Sequence, residues 1–247
     1  MISFFRKIRQ KLLSQNRVTR YLAYSLGEIA LVMIGILLAL QVNNWNEGKK
    51  TLEQERRILM ALHNEFNENL KELNRDIKRI DSQLVASRQI LDFFGEPTPP
   101  DEFLLDSLIL ISFPNFTWNP SSYVLNDLKN SGQISRLSDE KVQLLLFGWE
   151  RHYENLEEFK SGGEKSSDAF IEYLREYSSL RNIDNTGSIG SELFNRSKLG
   201  FSNQELLKDR RFENIVDDKV ATAAGLKLQY EITIGKIEEI LKATQKL

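Results

Sequence analysis

Between Ile29 and Leu40, twelve consecutive residues carry no polar side chain. A helix of that composition offers water no face, so it belongs in a bilayer or deep in a large core. Counted from Leu22 to Val42, the run would be about 31 Å long as a helix, the thickness of a bilayer's hydrocarbon. Tyr21 and Tyr24 at one end and Trp45 at the other stand where amphipathic rings anchor at the two interfaces. We therefore read residues 21–45 as a transmembrane helix. A cleaved signal peptide is the competing reading. Ala39-Leu40-Gln41-Val42-Asn43-Asn44, after the run, has no pair of small residues in cleavage spacing, and the charged region ahead is long, so an uncleaved anchor is expected.

Charge gives that anchor a direction. The chain holds 33 Lys and Arg against 35 Asp and Glu, but residues 1–20 contribute six bases (Arg6, Lys7, Arg9, Lys11, Arg17, Arg20) and no acid. The remainder is 33 − 6 = 27 bases against 35 acids, or −8. The positive-inside bias places residues 1–20 in the cytoplasm and everything after Trp45 across the membrane. Ile2, Phe5, Ile8 and Leu12 recur at helical spacing among those bases, as in a segment lying on an anionic inner leaflet.

Two features inside the span invite a function. Glu28 lies six residues beyond Leu22, roughly 9 Å in by helical rise, where an isolated carboxylate is costly unless it meets a partner, a cavity or the cytoplasmic surface. Ala23, Gly27, Gly35 and Ala39 share a stripe at multiples of four, which lets two helix backbones approach.

Residues 46–95 read as one long helix, a stalk, because proline is absent and apolar residues alternate at steps of four and three. The seam comprises Leu59, Phe66, Leu70, Leu73, Ile77, Ile80, Leu84 and Leu91 and lasts for about five heptads. It slips in register at His63 and Ser87, and Glu65, Glu68, Lys71 and their neighbours form a solvated face. Unbroken from the membrane, this helix would be a rod on the order of 100 Å. Gly95-Glu96-Pro97 stops it.

Residues 96–247 read as a bundle packed on the stalk. Phe103–Phe113 is apolar almost all round and too short to cross a bilayer, so it is expected to be buried between other helices. Ser121 or Ser122 caps a helix ending at Ser131-Gly132, and Ser138-Asp139-Glu140 opens another that breaks or kinks at Ser161-Gly162-Gly163. Residues 182–200 form a mobile loop with a short helix near 191–196. Ser202-Asn203-Gln204-Glu205 is a capping box from which a last helix runs to the C-terminus, antiparallel to the first. The fold class is thus all-α: one transmembrane helix continuing into a long helical stalk, packed with a periplasmic antiparallel helical bundle.

Chemistry is hard to find. There is no cysteine, which excludes disulfides, thiolate catalysis and Cys-based metal sites. The two histidines, His63 and His152, fit no metal-ligand spacing, and no phosphate loop or nucleophile elbow occurs. Trp149-Glu150-Arg151-His152-Tyr153 is the densest cluster of functional side chains and reads as a solvated helix edge. We assign no catalytic, cofactor or metal residues. With its bases gathered in front of the apolar run and the rest net negative, the chain is not expected to bind nucleic acid.

The block YLAYSLGEIALVMIGILLALQVNNWNEGKK, especially Gly27-Glu28-Ile29, Ile34-Gly35-Ile36 and Asn43-Asn44-Trp45-Asn46-Glu47, resembles a family of uncharacterised membrane-anchored proteins from Bacteroidota, domain of unknown function 6090. Asn119-Pro120-Ser121, Leu128 and Ser131-Gly132 are similar too. The resemblance implies a Gram-negative inner-membrane setting and no activity.

Three functions compete. One is a non-enzymatic scaffold whose partners are the bilayer and a second copy of the chain or other membrane and periplasmic proteins. Another is an accessory subunit of an ion-coupled or transport complex that uses Glu28. The third is a ligand sensor with Trp118, Tyr123, Trp149 and Tyr153 around a pocket.

Overall fold

The computed structural model describes Arg6, Lys7, Gln10, residues 18–115 and residues 117–245, with the backbone alone for 18–21, 23 and 190. Every regular element among the described residues is helical. Contacts divide the chain into two compact units, Met1–Ile58 and Leu59–Leu247.

Helix α1 (Val18–Asp92) has 75 residues and passes through Asn46-Glu47-Gly48 without a break. A single interior glycine costs a helix only about 1 kcal/mol, and the helix bonds across that point: Asn43 donates to Glu47 Oε1 (3.2 Å) and Thr51 Oγ1 to the Glu47 carbonyl (3.0 Å). It ends in a tight turn at Gly95, whose φ of 79° only glycine adopts without strain.

The second unit holds the last part of α1, α2 (Glu102–Ser112), α3 (Tyr123–Asn130), a 3-10 turn (Ile134–Arg136), α4 (Glu140–Tyr177), α5 (Leu180–Asn185), α6 (Gly190–Leu193), a second 3-10 turn (Asn203–Lys208) and α7 (Arg210–Thr244). Its frame is three long helices. The His63 ring bonds Thr244 Oγ1 at 3.0 Å and Lys227 pairs with Asp81 at 2.6 Å, so α7 runs antiparallel to α1. Likewise His152 meets Thr233 (2.8 Å) and Lys219 meets Ser167 (2.6 Å), making α7 antiparallel to α4. Phe66 stands edge-on to Trp149 with ring centroids 5.0 Å apart, closing α1 on α4.

The buried stripe differs from the one read by apolarity. On α1 the innermost side chains are Leu59, Leu62, Phe66, Asn69, Leu73, Ile80, Gln83, Ser87 and Ile90. With half-buried Asp76, these form unbroken heptads, so the register slip at His63 and Ser87 does not exist. Leu59, Phe66, Leu73, Ile80 and Leu84 are buried, while Leu70, Ile77 and Leu91 are only half-buried. On α7 the same strict spacing buries Phe212, Val216, Lys219, Ala223, Leu226, Tyr230, Thr233, Ile237, Ile240 and Thr244.

The polar members of the α1 stripe go inside because the irregular residues 113–115 and 117–122 pass there and their backbone needs partners. Asn69 exchanges two 2.8 Å hydrogen bonds with the Ser121 main chain. Gln83 donates to the Ser112 and Pro114 carbonyls at 2.9 and 2.8 Å. Tyr230 accepts from the Trp118 N–H at 2.8 Å. Glu65, expected on the solvated face, accepts from Ser121 Oγ and from the first amides of α3, Val124 (3.0 Å) and Leu125. Ser122 occupies the N-cap position of α3 without a side-chain cap bond, so a carboxylate from another helix does the capping. Replacing Glu65 with alanine is expected to lower stability by about 1–2 kcal/mol. Hydrogen exchange should speed up first at residues 123–126; protection there unchanged from wild type would contradict this role.

Other expectations are corrected locally. Helix α4 does not break at Ser161-Gly162-Gly163: Gly163 is buried, and a side chain there would begin 3.3 Å from Asn115 Oδ1, so glycine serves the close approach of residues 113–122. Its N-cap is Asp139, which accepts from the Lys141 and Val142 amides. Ser202 caps only the 3-10 turn, and Asp209 opens α7 afresh. Helix α2 buries Leu105, Asp106, Leu108, Ile109 and Ser112 but leaves Phe103 and Ile111 about half exposed, so it covers the core from outside. The ending of α3 at Ser131-Gly132 is as expected. The Gly132 amide bonds the Lys129 carbonyl and the Gln133 amide the Leu128 carbonyl, a Schellman closure around a φ of 67°.

Candidate functional site

The chemically most unusual group in the bundle is Lys219. It is 3% exposed, with its ammonium 2.6 Å from Ser167 Oγ, 3.5 Å from the Phe113 carbonyl and 5.7 Å from the Phe170 ring centre. Burial pushes its pKa down to about 8, against a small opposing pull from Asp218. A hydroxyl beside an amine of lowered pKa is the arrangement of a Ser–Lys nucleophile. The space beside it, bordered by Gln83, Asn115 and Gly163, is about 10 Å³, the size of one water and far too small for a substrate. We read it as a polar layer of the core that ties α7 to α4 and to residues 113–122.

The cluster around Trp149 divides as its helical spacing suggests, with Trp149 and Tyr153 turned inward, Glu150 and His152 diverging and Arg151 exposed. Trp149 is 5% exposed and stacks on Tyr153 at 6.4 Å, and Trp118, 1% exposed, stands edge-on to both. His152 points at Thr233, and burial, then Lys236, lower its pKa. Glu150 turns the other way to pair with Lys129 at 2.7 Å. Tyr123, grouped with these rings in the sensor reading, is 83% exposed. The four aromatics therefore do not surround a common cavity: Trp118 and Trp149 fill the core, Tyr153 is half-buried beside them and Tyr123 faces solvent.

A real cleft, of about 640 Å³, lies elsewhere, where α4 ends and α5 begins. Its floor includes Tyr173 and Leu206, its walls Tyr177, Leu199 and Phe201, and its rim carries Glu176, Glu205 and Asp209 against Arg181. The segment read as a mobile loop builds one side and is pinned by a polar network. Buried Asp106 accepts from Asn203 Nδ2 (2.6 Å) and Arg196 Nη2 (3.1 Å), and Arg196 also reaches Glu102. Asn182 accepts from the Ser197 amide and Asn203 from the Ser179 amide. Burial holds the Asp106 pKa above the ordinary carboxylate value although both partners pull it down. Asp209 is held below it, chiefly by the Tyr173 hydroxyl, which donates at 2.6 Å. Sequence reading missed this site because its residues are spread from 173 to 209 and the one motif among them, the capping box ending at Glu205, points to a helix start and not to a cleft. The available signal was the pair Asn182 and Asn203, amide side chains suited to ordering a loop backbone.

Helix α1 is the one helix among the described residues long and apolar enough to cross a membrane, and none of its most apolar stretch is buried. Gly27, Glu28, Gly35 and Ala39 are exposed on it, with open space around both glycines. Trp45 is 72% exposed and Tyr24 half-buried. The side chains of Tyr21 and Ala23 lie outside the described residues, as do Ile2, Phe5, Ile8 and Leu12.

The stretch that runs from Glu28 through the inward polar residues of α1 and residues 113–122 into α4 also carries the family signal. Residues 28–158, more than half of the chain, match DUF6090, a family of unknown function. The chain belongs to this family. No curated protein and no solved structure matches it. The DUF6090 match spans Glu65, Asn69, Gln83 and the segment they hold, while Lys219 and Tyr230 of α7, which bond Phe113 and Trp118 of that segment, lie beyond it.

Proposed function

We propose that this protein is a single-pass inner-membrane protein that acts by binding rather than by catalysis. It presents a periplasmic helical bundle for self-association or for capture of partner proteins. Four parts follow: a cytoplasmic basic segment (1–20), the membrane helix (21–45), a stalk (46–95) and the bundle (96–247). The observation that carries this reading is the contrast within α1. Its apolar residues from 26 to 42 are all exposed, whereas its later heptads are packed into a closed core. A fully exposed apolar helix needs lipid or another membrane helix. The six bases in residues 1–20 support the orientation. An amine-reactive crosslinker applied to native membranes should give a discrete larger species. A strictly monomeric chain with nothing attached would contradict the proposal.

Glu28 supports a second reading, an accessory subunit of an ion-coupled or transport complex. It is an exposed carboxylate on the apolar stretch, where another membrane protein would have to satisfy it. Glu28→Gln should then disrupt assembly; unchanged crosslinking would remove the reason for this reading.

A further inference from the structure

We propose that the outer face of α7 is an interface between two copies of this chain, on which a second copy lays its own α7 in the same direction and register. This names the surface of the self-association proposed above and rests on that reading.

Helix α7 carries two seams. One is the buried row already described. On the opposite side Ala221, Gly225, Leu228, Ile232 and Gly235 follow one another at steps of four and three, the spacing of a coiled-coil contact. None of the five is buried, and Leu228 is 56% and Ile232 45% exposed. A helix face turned to water is normally polar, and glycine within it weakens the helix. In this fold Gly163 makes room for a neighbouring segment. At Gly225 and Gly235 no described atom lies within 4 Å of where a side chain would begin, so the same copy does not use that room.

The flanking charges identify the occupant. With Gly225, Leu228, Ile232 and Gly235 as contact positions, Glu231 falls on one flank of the seam and Lys236 on the other. In a parallel pair of identical helices such flanking residues meet five positions apart, so Glu231 of each copy faces Lys236 of the other. Antiparallel pairing would bring like flanks together, the one holding Glu231 and Glu238 against itself and Lys236 against Lys236. Glu231 is free to turn outward: its contact with Lys227 is 3.8 Å long, and Lys227 is committed to Asp81 at 2.6 Å. A groove of about 460 Å³ beside the seam widens the face, with Val85 and Leu228 along it and Asp81 and Glu231 balanced by Arg88 and Lys227. A lining of equal acid and base selects no ion but complements a surface of the same balance. Two heptads are a short contact, and confinement of both copies to one bilayer raises their effective concentration.

The chain has no cysteine, so single thiols test the seam. Ala221→Cys, Leu228→Cys and Ile232→Cys, all at exposed positions, are made in the full chain, and native membranes are oxidised with copper phenanthroline. Each should yield a disulfide-linked dimer, and Glu158→Cys, exposed on α4, should not. Residues 221 and 232 are about 17 Å apart along the helix, so self-linking at both requires a parallel pair in register. Adding Glu231→Lys to Leu228→Cys should slow linking at least fivefold, and a further Lys236→Glu should restore it, a rescue that damage to the fold would not give. Linking at one position alone, no linking, equal linking at Glu158→Cys, or charge exchanges without effect or without rescue would overturn the interface. Amine-crosslinked species in membranes that give no thiol dimer would remove this seam and leave the broader binding function standing. Absence of both kinds of product would remove the two together.

Discussion

Exchange of Lys219 for methionine is expected to stabilise the bundle and to flatten its pH dependence in the alkaline range. In the folded chain the ammonium has lost its water and gained a hydroxyl, a distant carbonyl and a ring face, with no carboxylate in contact. Its pKa of about 8, against the ordinary lysine value of 10.5, means that folding favours the neutral amine. Below pH 8 both states bind the proton and the penalty is present in full. From pH 8 to 10.5 the unfolded chain holds more protons than the folded one, so stability rises with pH. At 1.36 kcal/mol per unit, the span corresponds to about 3 kcal/mol at most. Methionine fills most of the volume with nothing to ionise, and such replacements of buried charge often gain about 1–4 kcal/mol. Urea midpoints at pH 7.5 and pH 10 should differ clearly in the wild type and much less in Lys219→Met. Parallel midpoints in the two proteins would show that the ammonium is not desolvated as described.

The other large effect concerns the inner face of α1. Phe66→Ala is expected to cost about 3–5 kcal/mol, because the ring is 1% exposed and packs edge-on to Trp149. A less intuitive pair of variants tests the register. Asn69→Ala should cost more than Leu70→Ala, although leucine is the apolar residue. Loss of the amide breaks both hydrogen bonds to the Ser121 main chain, each worth about 0.5–1.5 kcal/mol net, and empties a position only 3% exposed. Leu70 is half-buried and has water as an alternative. Equal costs, or a larger one at Leu70, would restore the seam drawn through the leucines.

That pair also shows what was legible in the sequence. Helix periodicity, the stop at Gly95 and the Schellman end at Gly132 could be read because each depends on residues within one turn. One half of the buried face could be read as well, since Leu59, Phe66, Leu73 and Ile80 are buried where apolarity placed them, but the other half could not. Apolarity drew it through Leu70, Ile77, Leu84 and Leu91, one residue beyond the row that begins at Leu62 and continues through Asn69, Gln83 and Ile90. Asn69 and Gln83 turn inward to bond residues 112–121, which lie some 30 to 50 residues away along the chain. Gly162-Gly163 misled in the same way, since glycine there serves a neighbouring segment rather than ending its own helix. The cleft was invisible for a related reason: the loop along one side of it is held by Asp106, Arg196 and Asn203, which meet only when three separate parts of the chain come together. The apolar stretch was the easiest feature to find, being set by composition alone.

The central claim is that the apolar part of α1 stays in the bilayer with the bundle outside the cytosol. The chain has no cysteine, so single introduced thiols report cleanly. In spheroplasts of a Gram-negative host, a membrane-impermeant maleimide should label Ser188→Cys, an exposed position in the bundle, before lysis, and Ser14→Cys only after it. Labelling of Ser14→Cys alone in intact spheroplasts, or a mature chain that begins beyond Trp45, would contradict the account.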